Sequence, residues 1–144
     1  MTHLENLKIL VIHDDIFVTN TLKLHLPRIG VFYNNIRFAQ IPSEAFILLK
    51  EFSPDVIITG FYLHEIENLN VYEVNGIDFI KKIKKNKSYK TTQVIFCTWN
   101  PSIKDLCKEN NLMALFLPVN HYDKELKTVI NQAITEINWL LYEN

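Results

Sequence analysis

The sequence predicts an α/β domain built on a five-stranded parallel sheet with helices on both faces. Short apolar runs alternate with longer amphipathic stretches along the whole chain. The third run, Asp55-Val56-Ile57-Ile58-Thr59-Gly60, shows almost no polar alternation, as a strand covered on both faces requires. The 144 residues are 48% apolar and 22% charged, with no linker, low-complexity tract or internal repeat, which suits a single domain over 1–144.

The elements follow in order. Lys8-Ile9-Leu10-Val11-Ile12 is a short β-branched run and reads as the first strand. Asp14 or Asp15 caps a helix through about Leu26, which Pro27 and Gly30 end. Asn35 to Ala39 is the second strand. Pro42-Ser43-Glu44 opens a second helix that buries Ala45, Phe46, Leu48 and Leu49. Ser53-Pro54 breaks it, and the third strand runs to Gly60. A long connection covers residues 61–75. Gly76 to Lys85 is a third helix, Gln93 to Thr98 the fourth strand, Pro101 to Asn110 the fourth helix, and Leu112 to Leu117 the fifth strand. Asp123 to about Tyr142 forms the last helix, with Leu126, Val129, Ile130, Ala133, Ile134, Ile137 and Leu141 on one face.

Composition excludes several function classes. Fifteen basic against 16 acidic residues leave a net charge of −1, without the basic footprint of a nucleic-acid binder. Lys81, Lys82, Lys84, Lys85, Lys87 and Lys90 therefore read as a solvated helix end suited to the C-terminal dipole rather than a basic patch. Gly30, Gly60 and Gly76 lie too far apart for a dinucleotide fingerprint or a P-loop. Cys97 and Cys107 form neither a CxxC pair nor a disulfide framework, and Cys97 reads as a small buried hydrophobe. No signal peptide and no apolar run of ~18 residues is present, so a cytoplasmic protein with no membrane association is expected.

Parallel sheets place ligands at the carboxyl ends of their strands. The residues there are His13-Asp14-Asp15, Gly60-Phe61, Thr98-Trp99 and Leu117-Pro118. In this order and spacing the chain, from about Lys8 to Leu141, resembles the receiver domain of two-component response regulators. Lys8-Ile-Leu-Val-Ile-His-Asp-Asp is similar to the family's first strand with its acidic pair. Ser53-Pro-Asp-Val-Ile-Ile-Thr-Gly is similar to the third strand leading to the phosphoacceptor. Asn75-Gly-Ile-Asp-Phe-Ile is similar to the start of the third helix, and Val94-Ile-Phe-Cys-Thr98 to the fourth strand with its hydroxyl residue.

The resemblance implies a doubly wound, flavodoxin-like three-layer sandwich. It also implies phosphoryl transfer to an aspartate at the third strand's end, with Mg²⁺ and a lysine neutralising charge. Carried over residue by residue, that site is degenerate. Gly60 stands at the acceptor position and has no nucleophile. The acidic pair becomes His13 and Asp14, and an imidazole is a poor partner for hard Mg²⁺. Leu117 replaces the lysine, and Ala114 stands where the switch aromatic would be. Asp14 and Thr98 match by type. This is the pattern of an atypical, pseudo-receiver domain. Mg²⁺ binding is expected to be weak or absent, with Asp14 the one residue left to touch an ion.

Other residues keep two readings each. His13, Asp14 and Asp15 form either a remnant polar site or, through an aspartate, the cap of the first helix. Gly60 is an emptied acceptor position, a turn glycine, or both. The 61–75 connection, longer than in the family, is either a binding loop or an extra helical turn or hairpin. Trp99, His64, Glu65, Trp139 and Tyr142 are candidates for a partner surface.

The expected function is a stand-alone response-regulator-like module, not an enzyme, without a cofactor, acting by protein–protein contact in a phosphorelay-type pathway. Its partner would be a histidine kinase or another regulator, with a homodimer also open. The competing readings are a receiver phosphorylated at an unconventional acceptor and a flavodoxin-like small-molecule-binding domain or enzyme.

Overall fold

The computed structural model describes residues 1–143. Five strands form one parallel sheet: β1 (Ile9–Ile12), β2 (Ile36–Ala39), β3 (Val56–Thr59), β6 (Gln93–Cys97) and β7 (Leu115–Leu117). Their order is β2-β1-β3-β6-β7, as in doubly wound sheets. Successive side chains on a strand point to opposite faces, so each strand feeds two core layers. Ile9, Val11, Val56, Ile58 and Ile95 pack with α1 (Ile16–Arg28) and α5 (Asp123–Glu143). Leu10, Ile12, Ile57, Val94 and Phe96 pack with α2 (Pro42–Phe52), α3 (Gly76–Lys84) and α4 (Ile103–Glu109). The three-layer sandwich expected from the sequence is the one observed.

Element ends differ from the sequence reading for local reasons. The first helix does not stop at Leu26 but continues through Pro27 to Arg28. It ends at Gly30, whose φ of 112° lets Val31 N–H reach Leu26 O and Gly30 N–H reach Pro27 O. The fifth strand begins at Leu115, not Leu112. Residues 110–112 instead close α4, with Asn111 at φ 53° and Leu112 N–H donating to Cys107 O. On α2, Ala45 and Leu49 are buried while Phe46 and Leu48 are half-buried. Leu141, expected in the core, is 52% exposed, because α5 runs past the layer that buries Ile137.

The 61–75 segment is a hairpin. Strands β4 (Tyr62–Glu67) and β5 (Asn70–Asn75) pair antiparallel as a separate two-stranded sheet. Asn68 and Leu69 turn it at φ 51° and 70°, the paired positive values of a tight hairpin turn. Leucine is poorly suited to that conformation, which costs an L-residue about 1–2 kcal/mol. Leu69 is 97% exposed, so no packing compensates. Leu69→Gly is expected to stabilise the protein by about 1 kcal/mol, read as a higher urea midpoint. An unchanged or lower midpoint contradicts the turn geometry.

The hairpin returns the chain to its starting point. Gly76 N–H donates to Phe61 O at 2.6 Å, so α3 begins beside the end of β3. A Cβ on Gly76 would lie 3.0 Å from Phe61 Cα and O and even closer to Gly60 O. Asn75 caps the helix through Ile77 N–H at 2.7 Å. The result is a hairpin standing at the carboxyl edge of the sheet.

At the opposite end, Lys84 folds back so that its ammonium donates to Tyr89 O and Thr92 O. Burial outweighs those bonds and pulls its pKa down to about 8. The folded value lies below the unfolded one, so the unfolded chain holds more protons between about pH 8 and 10.5. Lys84 therefore adds stability as pH rises through that window and loses it as pH falls through 8. Urea titrations of the wild type and Lys84→Met across the window are expected to show the wild type gaining relative to the variant. A constant difference contradicts this.

Candidate functional site

His13 follows β1 and lies across the strand ends. Its Nδ1 accepts the Asp15 N–H at 3.1 Å, so Nε2 carries the ring proton and donates to Cys97 O at 2.8 Å. Both ring nitrogens are thereby engaged. The ring bridges the ends of β1 and β6 and passes directly over Gly60. A Cβ built at Gly60 would meet His13 Cδ2 and Nε2 at 3.1 Å and Cε1 at 3.3 Å. Gly60 does not have positive φ, unlike Gly30. Its backbone is therefore open to any residue, and what crowds a Cβ there is the imidazole, which would have to give by a few tenths of an ångström.

The two aspartates have separate tasks. Asp15 caps α1, its Oδ1 accepting Phe17 N–H at 2.9 Å. Asp14 points away from the helix, with Oδ2 3.1 Å from His64 Nδ1 and Oδ1 3.6 Å from His13 Nδ1. The hairpin thus brings His64 to the acidic residue at the sheet's edge. Thr98 accepts the Asn100 N–H at 3.2 Å and shapes the turn that carries Trp99, which is 65% exposed.

His13, Asp14, Asp15, Thr98 and Trp99 line a cavity of about 190 Å³ between the loops after β1, β3 and β6, with Phe61, Tyr62 and Val119 completing its wall. Asp14 also borders a larger cleft of about 520 Å³ on the β2 side, shared with Lys23, Glu44 and His64. The sequence places Phe61 among the strand-end residues but gives neither it nor Tyr62 a part in the pocket, although both follow Gly60 directly. Val119 gave no signal at all.

Two site expectations change. Leu117 does not enter the cavity; it is 2% exposed and packs in the core layer of α1 and α5. Glu65 is not a free surface residue. It is 8% exposed and accepts Ser43 N–H at 2.8 Å, Ser43 O–H at 2.9 Å and Ile66 N–H at 3.0 Å. Ile41 precedes α2 and has no side chain able to cap, so the hairpin supplies the missing carboxylate. Trp139 and Tyr142 are exposed, but they sit at the end of α5, where Asn138 bonds Thr2 in both directions. That is the amino end of the strands. The structure gathers His13, Asp14, Asp15, Gly60, Thr98, Trp99 and His64 together and leaves Trp139 and Tyr142 at the far end.

The set does not fit a hard divalent ion. Among the described residues no group of three or more His, Cys, Asp or Glu is placed to hold a metal. Asp15 is committed to its helix and both His13 nitrogens are taken. The thiols offer no nucleophile: burial pushes Cys97 up to about 12 and also raises Cys107. No helix among the described residues is long and apolar enough to cross a membrane.

No protein-family model matches the sequence, and no curated protein does. Solved structures do match the fold. The signal receiver domain of an HD domain-containing protein from Pseudomonas fluorescens Pf-5 has a TM-score of 0.77 at 19% identity, over 100% of this chain and 98% of that one. A response regulator receiver domain protein from Clostridium thermocellum has a TM-score of 0.72 at 24% identity, over 93% and 98%. A chemotaxis response regulator of Vibrio cholerae has 0.70 at 20%, over 88% and 98%. At these identities the likeness is one of fold.

Proposed function

We propose that this chain is a receiver-type signalling module that works by protein–protein contact and is not phosphorylated on aspartate. The observation that carries the reading is His13. Its imidazole crowds the position at the end of β3 where a Cβ of residue 60 would stand, at 3.1–3.3 Å. A carboxylate nucleophile there would need both a different residue and a different packing. The missing cation points the same way, since Leu117 is core and Val119 lines the cavity instead. Both His13 nitrogens are engaged in hydrogen bonds, one of which a phosphoryl group on the ring would have to displace. The receiver fold supports a partner of the two-component type, a histidine kinase or another regulator. The exposed Trp99 and Tyr62 beside the cavity supply apolar area for such contact.

The test is incubation with acetyl phosphate or phosphoramidate and Mg²⁺, read by intact mass. The protein is expected to keep its mass, while a conventional receiver run in parallel gains one phosphoryl group. A gain mapped to any aspartate of this chain contradicts the proposal.

A further inference from the structure

The cavity between the β1, β3 and β6 loops combines aromatic and acidic side chains. Its wall is aromatic. Phe61 and Tyr62 stand edge to face with centroids 4.7 Å apart, and Trp99 also lines the cavity. Tyr62 and Trp99 keep about half or more of their surface in solvent. Its floor is acidic, with Asp14 and Asp15 both lining it. Among the described residues, the side chains paired with Asp14 within ordinary ion-pair reach are the His13 ring and the half-exposed His64.

Charge and shape narrow the occupant. Two carboxylates repel an anion. A metal ion has charge but lacks the ligand set, as described above. A neutral apolar group has no use for the carboxylates. An organic cation uses both features: its charge meets Asp14, and its weakly hydrated surface lies against the π-faces of Tyr62 and Trp99. The volume of about 190 Å³ is that of one small group.

We infer that this cavity is a binding site for an organic cation of the ammonium or guanidinium class. The inference rests on the proposed function, in that it assigns to the cavity a ligand other than a phosphoryl group. Such a cation can be a free small molecule or the tip of an arginine or methylated lysine on a partner.

Trp139→Phe leaves Trp99 as the sole tryptophan. In that background the protein is titrated with tetramethylammonium chloride and with Nα-acetyl-arginine methylamide, against sodium chloride at equal ionic strength. A saturating change in Trp99 emission is expected. Binding of tetramethylammonium alone identifies a quaternary ammonium, free or on a methylated lysine, and binding of the arginine derivative alone identifies a guanidinium; either supports the inference. Asp14→Asn is expected to weaken either by about tenfold. Trp99→Leu, followed by the amide resonances of Asp14 and Thr98, is expected to abolish it. No saturation with either probe, equal affinity in Asp14→Asn, or tighter binding of inorganic phosphate overturns the inference. A chain that takes up phosphate from acetyl phosphate and binds neither cation sinks both readings; an unphosphorylated chain that binds neither sinks this one alone.

Discussion

Replacing Gly76 by alanine is expected to cost the fold about 3 kcal/mol or more, the upper end of what overpacking does. Two effects oppose one another at this position. Alanine is the better helix residue by about 1 kcal/mol, and Gly76 opens α3. Against that, a Cβ there meets backbone: Phe61 Cα and O at 3.0 Å, and Gly60 O nearer still. A clash with a side chain is relieved by a rotamer change, but backbone atoms give way only if the strand end moves. The strand end is held by Gly76 N–H on Phe61 O and by Gly60 N–H on Ile12 O. Sterics therefore win. Urea unfolding is expected to show a much lower midpoint at unchanged slope. A midpoint equal to or above the wild type means helix propensity has won, and the close approach of α3 to β3 is wrong.

Glu65→Ala is expected to cost about 2–3 kcal/mol. The carboxylate accepts three hydrogen bonds while nearly buried, and two come from Ser43 in the first turn of α2. Hydrogen bonds to a charged acceptor are worth about 1.5–3 kcal/mol, and removing the acceptor leaves the Ser43 N–H without its partner. The negative charge also suits the amino end of a helix. Glu65→Gln keeps an oxygen in place and is expected to lose about half as much. Denaturant midpoints of the three proteins are the measurement. A loss under about 0.5 kcal/mol for the alanine variant returns Glu65 to the surface. The hairpin is on this account a structural part of the domain, tied to α2 by Glu65 and to the core by fully buried Leu63.

The layers of the fold were legible because the strands Ile9–Ile12 and Val56–Thr59 are apolar on both faces, and period two leaves no other place for them. The strand-end residues were legible for the same reason, since a parallel sheet presents them together. What the pattern hid was direction. Leu117 and Val119 differ by two positions, and only packing decides which of them meets the cavity. Glu65 and His64 are neighbours in sequence, yet pleating sends one into the fold and the other to Asp14. The hairpin was obscured because its turn is Asn68-Leu69 rather than Asn-Gly, so the usual signal was half absent. The sequence leaves Gly60 a turn residue, an emptied acceptor or both; what no sequence pattern carries is that the His13 ring, and not a positive φ, crowds the position.

The place of His13 over Gly60 is tested most directly by a double-mutant cycle. Gly60→Ala alone is expected to destabilise by about 1–2 kcal/mol, since the imidazole must move from its two hydrogen bonds. His13→Ala alone removes those bonds and is expected to cost about 1–3 kcal/mol. In the double variant the methyl group enters the space the ring has left. The two costs are then expected to fall short of their sum by about 1 kcal/mol or more, and Gly60→Ala to be close to neutral once His13 is gone. Additive costs would mean that the imidazole does not occupy the place of a side chain at position 60, and the account of an emptied, plugged acceptor site would fail.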